Sequence, residues 1–200
     1  MAKDAVEDAL TDYFHWYGQE YDRARDAIAA EDLQALYREL QRVRSEGRQL
    51  VVLGNGGSAA SATHWACDFG KGTTVPGQRR FRVQSLADHV AWHTALANDV
   101  AYVDALAEQL LNGVDQGDLV VLLSVSGDSE NLVRACQAAQ GAGALVVAIV
   151  GAARGRLATL ADQALVLDSR DYGVVEDLHM TINHVLSQFI RRQLAAASDR

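Results

Sequence analysis

The chain has 200 residues, 49% of them apolar, enough to bury one sizeable core. Its 18 Lys and Arg against 26 Asp and Glu give a formal charge of −8, which argues against a broad nucleic-acid or anionic-membrane surface, since either needs a basic patch. Cys67 and Cys136 are too few for a disulfide framework and lack zinc-motif spacing, so both read as buried thiols in a reducing cytoplasm.

The N-terminal MAKDAVEDAL is acidic and has no apolar core, so it does not read as a signal peptide. Residues 4 to 30 are helical in pattern, with Leu10, Phe14, Tyr17 and Tyr21 at three- and four-residue steps, and a second helix runs from about Glu31 to Ser45. The first helix carries Tyr13, Phe14, Trp16, Tyr17 and Tyr21. It reads either as a packing arm against another subunit or as an ordinary core helix.

From Arg48 onward apolar runs alternate with helical patterns. Strands are expected at Gln49–Leu53, Phe81–Ser85, Leu119–Ser124, Leu145–Val150 and Ala164–Leu167. Helices are expected near Ser58–Gly70, His89–Leu96, Tyr102–Leu111, Ser129–Gln140, Arg156–Ala161 and Val175–Ala196. Unalternated Val/Leu runs separated by helices argue for an α/β fold, a parallel sheet covered on both faces. Ligands in such folds sit at the carboxyl ends of the strands. The apolar runs are strand-sized, and no membrane span is expected.

Two loops at such strand ends carry the chemistry. After the first strand, Gly54-Asn55-Gly56-Gly57 turns the chain sharply, and Ser58 is placed to cap the following helix. Free N–H groups at a helix start make an anion site. The loop fits neither the GxGxxG nor the Walker pattern. His64 and Asp68, spaced i, i+4, share one face of that helix. After the third strand, Ser124-Val125-Ser126-Gly127-Asp128-Ser129 groups three serines at another helix start without a lysine. It reads as a neutral cradle for a phosphate monoester, with a plain serine N-cap as the simpler alternative.

GNGGSA after one strand and SxSGxS after another, with Ala97-Asn98-Asp99 and the late Glu176-Asp177-Leu178-His179…His184, resemble the sugar isomerase (SIS) family, most of all its phosphoheptose isomerase branch. The resemblance spans essentially the whole chain. It implies a three-layer αβα sandwich with a five-stranded parallel sheet, one SIS domain over 1–200 with a helical arm at 1–47, and a homotetramer. It implies isomerisation of sedoheptulose 7-phosphate to D-glycero-D-manno-heptose 7-phosphate. The phosphate would rest on Ser124, Ser126 and Ser129. Asn55, Gly56, Gly57 and Ser58 would lie near sugar or phosphate, with Asn98, Asp99 and Glu176 near the sugar.

Ketose–aldose interconversion moves a proton between C1 and C2 through an enediol, and needs a base for the carbon proton and an acid for the oxygens. The resemblance assigns these roles to Asp68 and His184. Asp68 stands where the family has a glutamate and is one methylene shorter. Several members of the branch hold zinc, and the matching positions are His64, Asp68, Glu176 and His184, two imidazoles and two carboxylates that suit the ion. Glu176 and His184 stand about 80° apart around one helix. His179, between them, is open to three readings: a partner of the ligands, a substitute for one, or a packed helix histidine. His89 and His93 have no carboxylate cluster beside them and read as structural. Gly173 departs from the family pattern, in which a polar residue often faces the sugar. The rival reading is a non-catalytic SIS protein, a phosphosugar sensor or a tetrameric partner of a replication initiator. Retention of His64, Asp68, Glu176 and His184 together favours an enzyme.

Overall fold

The computed structural model describes residues 3–198, so the first two residues of the acidic N-terminal segment lie outside it. Helices α1 (Lys3–Asp26) and α2 (Ala30–Glu46) precede a core of five strands: β1 (Gln49–Gly54), β2 (Arg82–Ser85), β3 (Leu119–Ser124), β4 (Leu145–Gly151) and β5 (Gln163–Leu167). The intervening helices are α3 (Gly57–Cys67), α4 (Val90–Leu96), α5 (Ala105–Leu111), α6 (Glu130–Gly141) and α7 (Leu157–Leu160), and α8 (Tyr172–Ser198) closes the chain. The expected strands and helices are all present, shifted by a few residues at their ends. Helix α3 runs on into a wider π turn, Asp68–Gly72.

All strand pairs are parallel, in the order β2-β1-β3-β4-β5. Their near-continuous apolar sequences follow from burial on both faces. Leu50, Val52, Leu119, Val121, Val147 and Ile149 pack on one side with α2, α3 and α8. Val51, Leu53, Val120, Leu122, Val146 and Ala148 pack on the other with α5, α6 and α7. The two-residue period of the strands thus divides one sheet between two cores, giving the three layers. Among the described residues, no helix is long and apolar enough to cross a membrane.

The chain leaves β1 toward one edge of the sheet and returns to place β3 on its other side. This reversal opens a crevice beyond the carboxyl ends of β1 and β3, where α/β folds bind ligands. Register sets Gly54 of β1 beside Leu123 of β3, which brings the glycine turn and the serine loop together.

One sequence-based expectation fails on packing. Cys67 is exposed and Cys136 buried. Cys67 is the last residue of α3 and lies off the stripe of Ser58, Ser61, Ala62 and Trp65 that the helix buries.

Candidate active site

The crevice holds a pocket lined by Asn55, Ser58, Ser124, Ser126, Ser129, Tyr172 and Glu176, with Leu123, Val125 and Leu132 at its base. Helix α3 begins at Gly57 with Gly56 as its cap at φ 55°, a left-handed conformation that favours glycine. Ser58, expected at the cap, is therefore in the first turn, buried at 3% exposure. The glutamate of α8 reaches the same turn. The Ser58 N–H donates to the Glu176 carboxylate, and a side chain on Gly57 would collide with it. Burial raises the Glu176 pKa; the Ser58 N–H opposes that shift and the neighbouring Asp177 charge adds to it.

The serine loop is held from within. The Ser124 hydroxyl accepts the Gly127 N–H at 3.0 Å and the Ser126 hydroxyl accepts the Asp128 N–H at 3.2 Å. Each hydroxyl keeps its own proton for a ligand. Ser129 is the N-cap of α6 but makes no side-chain capping bond, so a capping role does not use up its hydroxyl. Outside the loop, Arg156 donates to Asp128 at 2.5 Å and to Glu130 at 2.8 Å. Among the described residues, no cation lines the pocket, which leaves the cradle neutral.

Asn55 is already engaged. It exchanges two amide hydrogen bonds with the buried Asn131, at 2.9 and 2.8 Å, and accepts a third from the Tyr102 hydroxyl at 3.2 Å. Asn98 donates to Asp99 at 2.8 Å on an exposed π turn, and neither residue is among those lining the serine pocket.

Farther along α3 and α8, His64, Asp68 and His184 converge. Their potential ligand atoms lie within 4.8 Å of one another. His64 Nε2 and His184 Nε2 each stand 3.5 Å from the same oxygen, Asp68 Oδ2, and the two rings meet edge to face at 5.2 Å. Buried contacts between the helices set this meeting. Trp65 Nε1 donates to the His179 carbonyl at 3.0 Å, and Phe69 stacks on Trp65.

Glu176, expected as a fourth ligand, is separated from this group. Eight helical residues place it about 12 Å back along α8 from His184, and its carboxylate faces Gly57 and Ser58. His179 is a packed histidine. It is fully buried, with Nε2 3.2 Å from the Ile149 carbonyl, and burial pushes its pKa down to about 4. His93 lies 3.3 Å from Gln109 and lines a second pocket with Asn55, Gly56 and Tyr102, and His89 stacks on Trp92.

Three contributors had no signal in the sequence motifs. Asn131 and Tyr102 hold Asn55, and Asn183 donates to Asp68 Oδ2 at 2.7 Å. The i, i+4 spacing of His179, Asn183 and Ser187 along the buried side of α8 was the available hint for Asn183.

The SIS domain profile matches residues 12–151. A probable phosphoheptose isomerase of Thermoplasma acidophilum is 30% identical over 174 residues, 87% of this chain and 95% of the relative. The phosphoheptose isomerase of Mycobacterium tuberculosis is 33% identical over 150 residues, 75% of this chain and 76% of the relative. The solved phosphoheptose isomerase from Francisella tularensis shares the fold with a TM-score of 0.85 at 23% identity, covering 94% of this chain and 98% of its own. The chain belongs to the SIS domain family, in its phosphoheptose isomerase branch.

Proposed function

We propose that the aldose–ketose isomerisation of this branch is, in this chain, the conversion of sedoheptulose 7-phosphate to D-glycero-D-manno-heptose 7-phosphate through an enediol. The observation that carries the reading is the convergence of His64 and His184 on one oxygen of Asp68, at 3.5 Å each. This group lies about 12 Å along α8 from the serine pocket, by the rise of the helix. A phosphate seated on Ser124, Ser126 and Ser129 would leave an extended sugar to lie along α3 and α8, with its C1–C2 end at the histidines. Asp68 takes the carbon proton, and His184 gives and removes protons at the two oxygens. The reacting atoms are held by the phosphate anchor at the other end of the substrate.

The same three side chains fit zinc. Two imidazoles and a carboxylate, with ligand atoms within 4.8 Å of one another, make a three-ligand set with an open position. Bound there, zinc would supply Lewis-acid polarisation of the substrate oxygens. Glu176 would then act toward the sugar rather than as a ligand.

A tetramer fits the apolar residues left outside. Leu10, Tyr13, Phe14 and Trp16 of α1 are exposed, as are Val185 and Phe189 of α8. Light scattering that finds a 21.6 kDa monomer at micromolar concentration would reject assembly.

The deciding experiment is NMR of purified protein with ketose phosphates of five to eight carbons, before and after chelation. Turnover highest for the seven-carbon sugar is expected. Binding without turnover of any sugar would favour a non-catalytic phosphosugar protein, and full activity without metal would discard the zinc.

A further inference from the structure

We infer that Asn183 is a positioning residue that fixes the Asp68 carboxylate for proton transfer. This rests on the reading of Asp68 as the proton carrier. Asn183 is fully buried on α8, and its Nδ2 donates to Asp68 Oδ2 at 2.7 Å. The two histidines stand farther from that oxygen, at 3.5 Å, so Asn183 makes the shortest contact in the group.

The cost of this arrangement is visible in the same side chain. Asn183 Oδ1 is buried with no hydrogen-bond partner. Turning the amide over would set that oxygen against Asp68 Oδ2, two acceptors face to face. The carboxylate therefore dictates the orientation of the amide. Asn183 stands between two other buried polar residues of α8, His179 and Ser187, with apolar Ile182, Leu186 and Ile190 beside them, and of the three polar residues it is the one whose side chain bonds to Asp68. A buried, half-satisfied amide costs stability. With Oδ2 tied to Asn183, the short Asp68 side chain has a set plane beside His64 and His184. The bond fits a carboxylate one methylene out from the backbone; a longer glutamate side chain at this position would carry its oxygens past it.

The test is a set of kinetic measurements with sedoheptulose 7-phosphate on the full chain. Asn183→Leu should lower kcat by about 10- to 100-fold, the usual range for a residue that orients an active-site group, with KM unchanged. The same substitution beside Asp68→Glu should have little further effect on kcat, because the longer side chain no longer uses the amide. Circular dichroism checks folding, and Asn183→Ala repeats the test if the leucine variant does not fold. An unchanged kcat in the folded variant, or an equal loss with and without Asp68→Glu, would overturn the inference and leave the reading of Asp68 intact. Full activity of Asp68→Asn would instead remove the reading on which it rests.

Discussion

At the serine pocket, most polar atoms come from the chain directly after β1 and β3, and α8 adds Tyr172 and Glu176. At the histidine cluster they come from side chains well into two helices. The serine loop is held by its own backbone. Gly127 and Asp128 N–H groups tie back to Ser124 and Ser126, and Ser58 is nearly fully buried. The cluster is open, with the side chains of His64 and His184 about half exposed, at 51% and 45%. The contrast suits the two tasks proposed for them. A phosphate needs fixed donors that hold it unchanged through the reaction, whereas proton transfer needs groups that meet a moving charge and exchange with it.

The largest effect should come from breaking the open end. Asp68→Asn and His184→Ala should each lower kcat by about 10²- to 10⁴-fold. Calorimetry should show sugar-phosphate affinity unchanged, since neither residue lines the serine pocket. A parallel loss of affinity would mean that the two ends are not separate.

Next comes the core that joins the ends. His179 links α8 to β4 and, through its carbonyl, to Trp65. Its pKa is lowered to about 4 by burial, against 6.5 for a free imidazole. The unfolded chain thus takes up a proton that the folded chain refuses. The stability held by the neutral ring is complete above 6.5, falls as pH drops from there toward 4, and is lost below. The loss is on the order of 3 kcal/mol. Urea unfolding from pH 7.5 to 4 should show this slope, and His179→Gln should flatten it. An unchanged slope in that variant would assign the proton uptake to other groups.

The pocket end should respond more mildly. Ser126→Ala removes one hydroxyl donor to a charged group and should weaken sugar-phosphate binding by about 1.5–3 kcal/mol. The kcat of the bound complex should change far less. Calorimetric titration with inorganic phosphate and with the sugar phosphate separates anchor from sugar. A drop in kcat at constant affinity would move Ser126 to the reacting end.

The same contrast explains what was legible in the sequence. Gly54 to Ser58 and Ser124 to Ser129 are contiguous, so local turn chemistry and strand order locate the pocket. The cluster depends on how α3 meets α8. Residue spacing put His64 with Asp68 on one face, but nothing local fixed where α8 crosses. Glu176 and His184 share a helix, and only the packing separates them, Glu176 at the serine pocket and His184 beside Asp68. The role of Asn183 stays hidden for the same reason, beyond the hint of its helical spacing: its partner is 115 positions away. The Asn55–Asn131 exchange is likewise long-range, and it takes up donors that a motif reading offers to the ligand.

The smallest effect tests whether the N-terminal arm belongs to the pocket end. The Tyr17 hydroxyl donates to Asp177 Oδ2 at 2.6 Å, and one turn farther Tyr21 and Thr181 share a hydrogen bond of the same length. The Tyr17 contact braces α8 beside Glu176, whereas the Tyr21 contact lies nearer to His184, at Thr181. Burial, then the bond to Asp177, raise the Tyr17 pKa above its usual value, so the phenol stays a donor well into the alkaline range. Tyr17→Phe keeps the ring and removes the one bond. Its expected cost is about 1 kcal/mol, or roughly 2–4 °C in melting temperature for a chain of this size. If the brace serves the pocket, KM for the sugar phosphate should rise slightly while kcat stays unchanged, because the cluster lies beyond it along the helix. A fall in kcat with steady KM would show that α1 acts on the open end, and that the two regions are coupled through α8.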